Sequence, residues 1–458
     1  MNLQRHSITA TNPIRILDAR FDADYRLFTC STPAGFAVYR AYPLTLLRKR
    51  ELTGGTLAAV LPLHTSNLLF LLGGGRSPLY PPNKVVLWDD SLRREVAELE
   101  FRERVRGFAC RRGWLAVALR RRVVLFEVGE RVSRFGEWDT CDNSRGLVAM
   151  AAATGATLLA IPGRQTGHVQ LIHLPPCPPP ANAAPSQAKP PPRPTKHPVS
   201  IVAAHTGSLS TLSVPPSGRL LATTSSKGTL VRVWDSHTGK LVREFRRGTD
   251  KAEIYGVAFR PDEKELCVWS DKGTVHVFTI TANSGQANRQ STFSALTPFL
   301  PLPNYFGSEW SYAQYRLPAQ SPHASIETQA SRAPKLNVAD EERCVVGWIQ
   351  VPSDRPSPDR DAPLEHQLVA LTYSGGWYRL SLPKSGSAST ASVASPSSGV
   401  SASAAPPRSI SMHRPRSSSG SSFSSRTEKG KEKEKEGKES HECALKEFRR
   451  YGRWDGWG

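Results

Sequence analysis

Short apolar runs, each followed by a turn and then a run in which apolar and polar residues alternate, recur along the chain. Seven such pairs end at Tyr39, Trp88, Phe126, Ile172, Trp234, Phe278 and Leu380; RLLATTSSKGTLVRVW, ending at Trp234, is a clear copy. Side chains of period two belong to strands with one face buried. Gly or Asn in most of the turns supplies the positive φ that tight hairpins require. Steps of roughly 40 to 50 residues fit one four-stranded propeller blade, and Trp-Asp pairs fall at Trp88-Asp89 and Trp234-Asp235, where such blades carry them. The pattern predicts an all-β, WD40-like, seven-bladed β-propeller over residues 13–383. Paired β-sandwiches also use regularly spaced short strands, but seven like pairs favour the propeller.

Departures from the repeat give the expected boundaries. Residues 1–12 form an N-terminal arm, a proline-rich insert covers 175–198, an apolar loop covers 281–303, and polar inserts cover 319–335 and 351–365. A Ser/Pro-rich and then Lys/Glu-rich tail over 384–441 lacks the apolar residues to order itself. The segment 442–458 carries aromatics whose role the pattern does not give. Leu52 to Gly75 holds no charged residue, but Pro62, His64, Thr65, Ser66 and Asn67 interrupt it. It reads as strand, turn, strand, too short on either side for a spanning helix.

Composition narrows the function classes. The 458 residues are 39% hydrophobic with 34 glycines, enough for a large core, and carry a net charge of +20. Such an excess points to anionic partners. The cysteines, Cys30, Cys110, Cys141, Cys177, Cys267, Cys344 and Cys443, show no CxxC spacing, so neither a disulfide framework nor a zinc site is expected and a reducing, cytoplasmic setting is. The N-terminus has no apolar run of a signal peptide. Gly73-Gly74-Gly75 lacks the Lys-Ser/Thr of a P-loop, and no H-E-x-x-H pair occurs. An enzyme, a metal and a cofactor are therefore not expected.

The most informative local feature is Phe245-Arg246-Arg247-Gly248, read as the end of an outer strand in blade five. Neighbouring residues of a strand face opposite ways, so Arg246 and Arg247 serve two sides. Arginine bonds phosphate oxygens through a planar fork and keeps its charge. Ser225-Ser226-Lys227-Gly228-Thr229 and Ser270-Asp271-Lys272-Gly273-Thr274 are parallel S-x-K-G-T turns, whose hydroxyls and amides can donate to phosphate. Arg232 and His276 follow them. A common propeller hairpin beside a solvated edge would give the same pattern, and spacing alone leaves both readings open.

From Phe21 to about Pro318 the chain resembles the PROPPIN family, the phosphoinositide-binding propellers of autophagy that include the WIPI proteins. The resemblance rests on PPNKVVLWDD, TGHVQLIHL, TSSKGTLVRVWDSHTGKLVREFRRGTD, IYGVAFRPDEKELCVWSDKGTVHVF and NYFGSEWSYAQYRLP. It implies two headgroup sites, for phosphatidylinositol 3-phosphate and the 3,5-bisphosphate, on either side of the arginine pair. Carried over by motif, the first uses His205, Ser225, Gly228, Thr229, Arg232 and Arg246. The second uses Arg247, Gly248, Ser270, Thr274 and His276. Thr223-Thr224 stands where many members have Thr-Ala, and Trp269 where a small residue is commoner.

The family's blade-six loop enters the bilayer, and here Phe293, Leu296, Phe299 and Leu300 are its candidates for insertion. Blade three is dense in arginine (Arg102, Arg104, Arg106, Arg111, Arg112, Arg120, Arg121, Arg122) and reads as a solvated or partner-facing surface. In the family, blades two and three bind protein partners, which include autophagy lipid-transfer and conjugation factors. The resemblance thus implies a monomeric peripheral effector on vacuolar, endosomal or pre-autophagosomal membranes, serving autophagy or protein transport. The alternative, a basic scaffold binding RNA or a protein complex without lipid, calls for aromatics interleaved with arginine. Blade three has few, and no nucleic acid is expected.

Overall fold

The computed structural model describes residues 15–64, 66–180, 200–281, 287–289, 308–318, 343–353, 364–383 and 441–452. The described residues form seven antiparallel sheets, arranged as the blades of a β-propeller. In blade five the strands are Leu209–Ser213, Leu220–Ser225, Leu230–Asp235 and Leu241–Arg246, in order from the inside out. In blade six they are Ile254–Phe259, Glu265–Ser270, Thr274–Thr279 and Ala313–Arg316. The second and third strands are the most apolar because neighbouring blades cover both of their faces. Ala222, Val231, Val233 and Phe245 of blade five close on Ile254, Phe259, Leu266, Val268 and Phe278 of blade six.

Blade five departs from the four-stranded plan. The short strand Glu309–Trp310 lies parallel to its outer strand, pairing Phe245 with Glu309 and Arg246 with Trp310. Phe245 and Arg246 are buried for this reason, although they end an outer strand.

The ends of the propeller differ from those expected. Its seventh blade takes its outer strand, Ala444–Arg450, from beyond the tail, paired with Gly376–Ser381. The fold therefore does not stop at 383, and the segment expected to stand apart over 442–458 contributes a strand. Tyr451 follows that strand into the seam with blade one, where its hydroxyl donates to Thr372 O at 2.7 Å. Its ring meets Phe28 at 5.3 Å. Pattern reading missed this strand because only its pairing, not its composition, makes it part of the core.

Two further boundaries move. The polar insert expected over 351–365 is narrower, since Cys344–Pro352 and Leu364–Thr372 are paired strands. The proline-rich insert does not begin at Pro175, because Cys177 is buried. Arg111 donates to Ala156 O at 2.6 Å and to Pro175 O, and Arg112 donates to Pro178 O at 2.6 Å. Arg111, read as part of a solvated surface, is only 2% exposed. It spends its donors on backbone carbonyls of blade four.

Candidate phosphate-binding site

The turns after the second strands of blades five and six have one geometry. Gly228 N–H donates to Ser225 O at 2.9 Å, and Gly273 N–H to Ser270 O at 3.1 Å. Both glycines are left-handed, with φ of 65° and 63°, a conformation that other residues seldom adopt. At Gly228 a side chain is excluded twice over, since a Cβ would stand 1.9 Å from Ala252 O. Each turn is also stitched to the connection leading into its blade: Ser226 N–H to Ser208 O and Asp271 N–H to Glu253 O, both at 2.9 Å. The repeated S-x-K-G-T spacing is a repeated structure.

Arg246 and Arg247 run beside these turns. The Arg246 guanidinium lies over the Trp310 ring, 4.8 Å from its centroid. Arg247 continues the ladder with its N–H to Thr229 O at 2.9 Å. Its Nε donates to Gly228 O at 2.8 Å and its Nη2 to Asp250 O. The two side chains are 6% and 7% exposed, and burial lowers both pKa values from the ordinary arginine value. For Arg247 the nearby Asp271 and Asp250 oppose that shift without overcoming it. The opposite projection expected of consecutive residues thus gives the two guanidiniums different neighbours.

The histidines divide between them. His205 Nε2 shares a hydrogen bond with Thr223 Oγ1 at 3.0 Å, and Trp234 Nε1 donates to the same hydroxyl at 3.0 Å. Burial, with Arg232 adding to it, pushes His205 down to about 4. His276 Nδ1 meets Ser311 Oγ at 3.1 Å. Burial and then Arg247 push His276 down to about 4. Both rings are neutral near pH 7, so the positive charge here comes from arginine. Arg232 lies near enough to His205, and Arg247 near enough to His276, to act on the ring's protonation.

Arg232 is already engaged. Its Nε donates to Glu244 Oε2 at 2.8 Å and its Nη1 to Ala204 O at 2.7 Å. Glu244 Oε1 in turn accepts from Ser308 Oγ at 2.9 Å. Ser225 and Ser270 are buried, while Thr229, Gly248 and Thr274 are partly exposed beside the turns. Trp269 fits because Gly256 stands opposite it in the ladder; a Cβ there would lie 2.1 Å from the indole.

Phe293, Leu296, Phe299 and Leu300 lie outside the described residues. Residues flanking them are fixed on the blades: Asn288 Nδ2 donates to Thr279 O at 2.7 Å and to Glu309 Oε2 at 2.6 Å. Arg289 and Trp310 exchange backbone hydrogen bonds of 3.1 and 2.7 Å. Sequence reading missed Trp310, Glu244 and Ser308 as site residues. Glu244 was within reach, since it faces Arg232 across the hairpin once the register is known.

Comparison with known proteins bears on the family and the fold. The family described as PROPPIN matches residues 194–351. The chain is 32% identical over 356 residues to SVP1-like protein 2 of Pichia angusta, spanning 76% of this chain and 92% of that one. Kluyveromyces lactis Hsv2 superposes with a TM-score of 0.55 at 22% identity, over 81% of this chain and 93% of that one. KlAtg21, solved in complex with the coiled coil of AgAtg16, superposes with a TM-score of 0.53 at 15% identity, over 81% and 95%. At these identities the two structures speak for the fold.

Proposed function

The chain belongs to the PROPPIN family of autophagy-related, phosphoinositide-binding propellers, and from that premise we propose that it is a peripheral membrane effector reading two phosphoinositide headgroups. The first site gathers Arg246, Arg232, His205 and the Ser225–Thr229 turn; the second gathers Arg247, His276 and the Ser270–Thr274 turn. The observation that carries this reading is the arginine pair: two consecutive buried arginines with different neighbours, Arg246 over the Trp310 ring and Arg247 on the Gly228 and Asp250 carbonyls with Asp271 nearby. Phosphate monoesters suit them because charge-assisted bonds to arginine are the strong ones. The ligands are phosphatidylinositol 3-phosphate and the 3,5-bisphosphate.

Binding at the rim leaves the rest of the propeller to hold protein partners, as a scaffold rather than a catalyst. KlAtg21 binds a coiled coil, and a partner of that kind on blades two and three is part of the proposal. So is recruitment to vacuolar, endosomal or pre-autophagosomal membranes. Among the described residues no helix is long and apolar enough to cross a membrane, which suits attachment through headgroups and the 281–303 loop.

Flotation with vesicles that contain or lack phosphatidylinositol 3-phosphate tests the reading. Wild-type protein floats only with the lipid; Arg246→Ala and Arg247→Ala each lose most of that binding while remaining folded, and the double variant loses it all. Normal flotation of either single variant overturns the two-site assignment. Equal flotation without the lipid overturns headgroup recognition.

A further inference from the structure

We propose that Glu244 is a built-in counter-anion of the first site, which a phosphate must displace from Arg232, and that Ser308 sets how firmly it is held. The inference rests on the two-site reading for its natural ligand, but the contact itself is a property of the fold.

An arginine presents two edges for paired, parallel hydrogen bonds, and phosphate recognition uses one of them. On Arg232 the Nη1 is committed to Ala204 O at 2.7 Å and the Nε to Glu244 Oε2 at 2.8 Å. Among the described residues Nη2 makes no hydrogen bond, so each edge has one donor occupied. The Ala204 carbonyl belongs to the fold, directly before His205. Glu244 is a side chain that can rotate, and releasing it opens the Nε–Nη2 edge.

Charge points the same way. A phosphate monoester carries about −1.5 to −2 at pH 7, and a carboxylate on the same guanidinium repels it. Both Arg232 and Glu244 are partly buried, with side-chain exposures of 28% and 19%, so screening by salt is weaker than at an open surface. Glu244 is also held from its other side. Ser308 Oγ donates to Oε1 at 2.9 Å, and Ser308 directly precedes the strand whose Trp310 lies over Arg246. One short segment, Ser308 to Trp310, thus serves both arginines of the first site, stacking on Arg246 and bracing the anion that occupies Arg232. Among the described residues no carboxylate hydrogen-bonds to Arg247, whose side-chain bonds end on the Gly228 and Asp250 carbonyls, although Asp271 and Asp250 lie near it.

The test isolates the first site in an Arg247→Ala background and titrates soluble short-chain phosphatidylinositol 3-phosphate by calorimetry. Glu244→Gln keeps the shape and removes the charge, and affinity is expected to rise about tenfold. Ser308→Ala is expected to raise affinity about threefold when Glu244 is present and to change nothing in the Glu244→Gln background. Unchanged or weaker binding by Glu244→Gln overturns the proposal, and additive effects of the two substitutions overturn the role of Ser308. A parallel titration with inorganic phosphate, followed on the Arg232 ¹⁵Nε resonance, reads the contact without lipid. There Glu244→Gln should respond at lower phosphate concentration, and an unshifted titration overturns the proposal. If phosphate behaves as expected while the lipid headgroup does not bind, the lipid reading fails and the counter-anion stands. Thermal melting of each variant confirms that the fold is kept.

Discussion

Trp310 lies beneath the Arg246 guanidinium at 4.8 Å from ring centroid to charge centre, and the backbones of the same two residues face each other in a parallel pairing. A cation over an indole face gains about 0.5–2 kcal/mol, more as water is excluded. The contact also aims a long side chain before any ligand arrives, which lowers the ordering entropy on binding. Trp310→Ala should therefore weaken headgroup binding at the first site by about five- to thirtyfold, and Trp310→Phe by less. Calorimetry in the Arg247→Ala background measures this. Unchanged binding by Trp310→Ala would mean that strand pairing, which both variants keep, rather than the ring, is what matters.

The propeller was legible in the sequence because each blade's second and third strands are covered on both faces. Burial of that kind leaves apolar runs such as LLATTS and ELCVWS, with turn glycines between strands. The arginine pair and the two turns were legible for a related reason, since consecutive strand residues diverge and a left-handed glycine marks a tight turn. Ala444–Arg450 was not, being mostly exposed with the polar composition of an outer strand. Glu309–Trp310 is two residues long and parallel to its partner, and no local pattern announces such a strand. Glu244 escaped because a carboxylate opposite an arginine is ordinary on an outer strand; only its tie to Ser308 sets it apart.

Headgroup recognition and membrane retention should separate. Replacing Phe293, Leu296, Phe299 and Leu300 with Ser removes apolar side chains worth about 1.5–3 kcal/mol each when fully buried, and less at a bilayer interface. The variant should bind soluble short-chain phosphoinositide as wild type does, because none of the arginines is altered. Its release from vesicles should be faster by an order of magnitude or more, as about 1.4 kcal/mol corresponds to tenfold. Stopped-flow dissociation from labelled vesicles measures it, and an unchanged off-rate would show that these residues stay out of the bilayer.

Acid should weaken the fold through the site histidines. His205 and His276 sit at about 4 in the folded protein, against about 6.5 in an unfolded chain. Between those values the unfolded chain binds more protons, so stability falls as pH drops from about 6.5 to about 4. Asp22 acts in the opposite sense, because burial raises its carboxyl to about 7 and the folded state takes up its proton first. A single variant separates the two. The stability advantage of wild type over His276→Gln, from urea titrations, should shrink by a few kcal/mol between pH 7 and pH 4.5. A constant difference would place the His276 proton equilibrium near its unfolded value.

The seam between the first and last blades supplies the last prediction, because the chain reaches it only after the long tail. Tyr451 is 2% exposed; its ring packs on Phe28 and Tyr39 at 5.3 and 6.1 Å, and Gly452 N–H donates to Tyr39 Oη at 3.0 Å. Blade one is made wholly of N-terminal strands and blade seven wholly of C-terminal ones, so no strand is shared across the closure; side-chain packing holds it together with backbone contact such as Ile16 N–H to Tyr373 O at 3.2 Å. Removing a buried aromatic ring typically costs about 3–5 kcal/mol, and Tyr451→Ala also removes a hydrogen bond to Thr372 O, which keeps the one from Gly375 N–H. This variant should melt several degrees below wild type. Truncation after Pro383 should be worse, since it strips the outer strand from Gly376–Ser381 and removes Tyr451 as well. Replacing residues 384–440 with a short Gly-Ser linker keeps both and should leave the melting temperature within a degree or two. Differential scanning calorimetry of the three proteins decides the matter: a truncated chain as stable as wild type would mean that the propeller closes without its last strand.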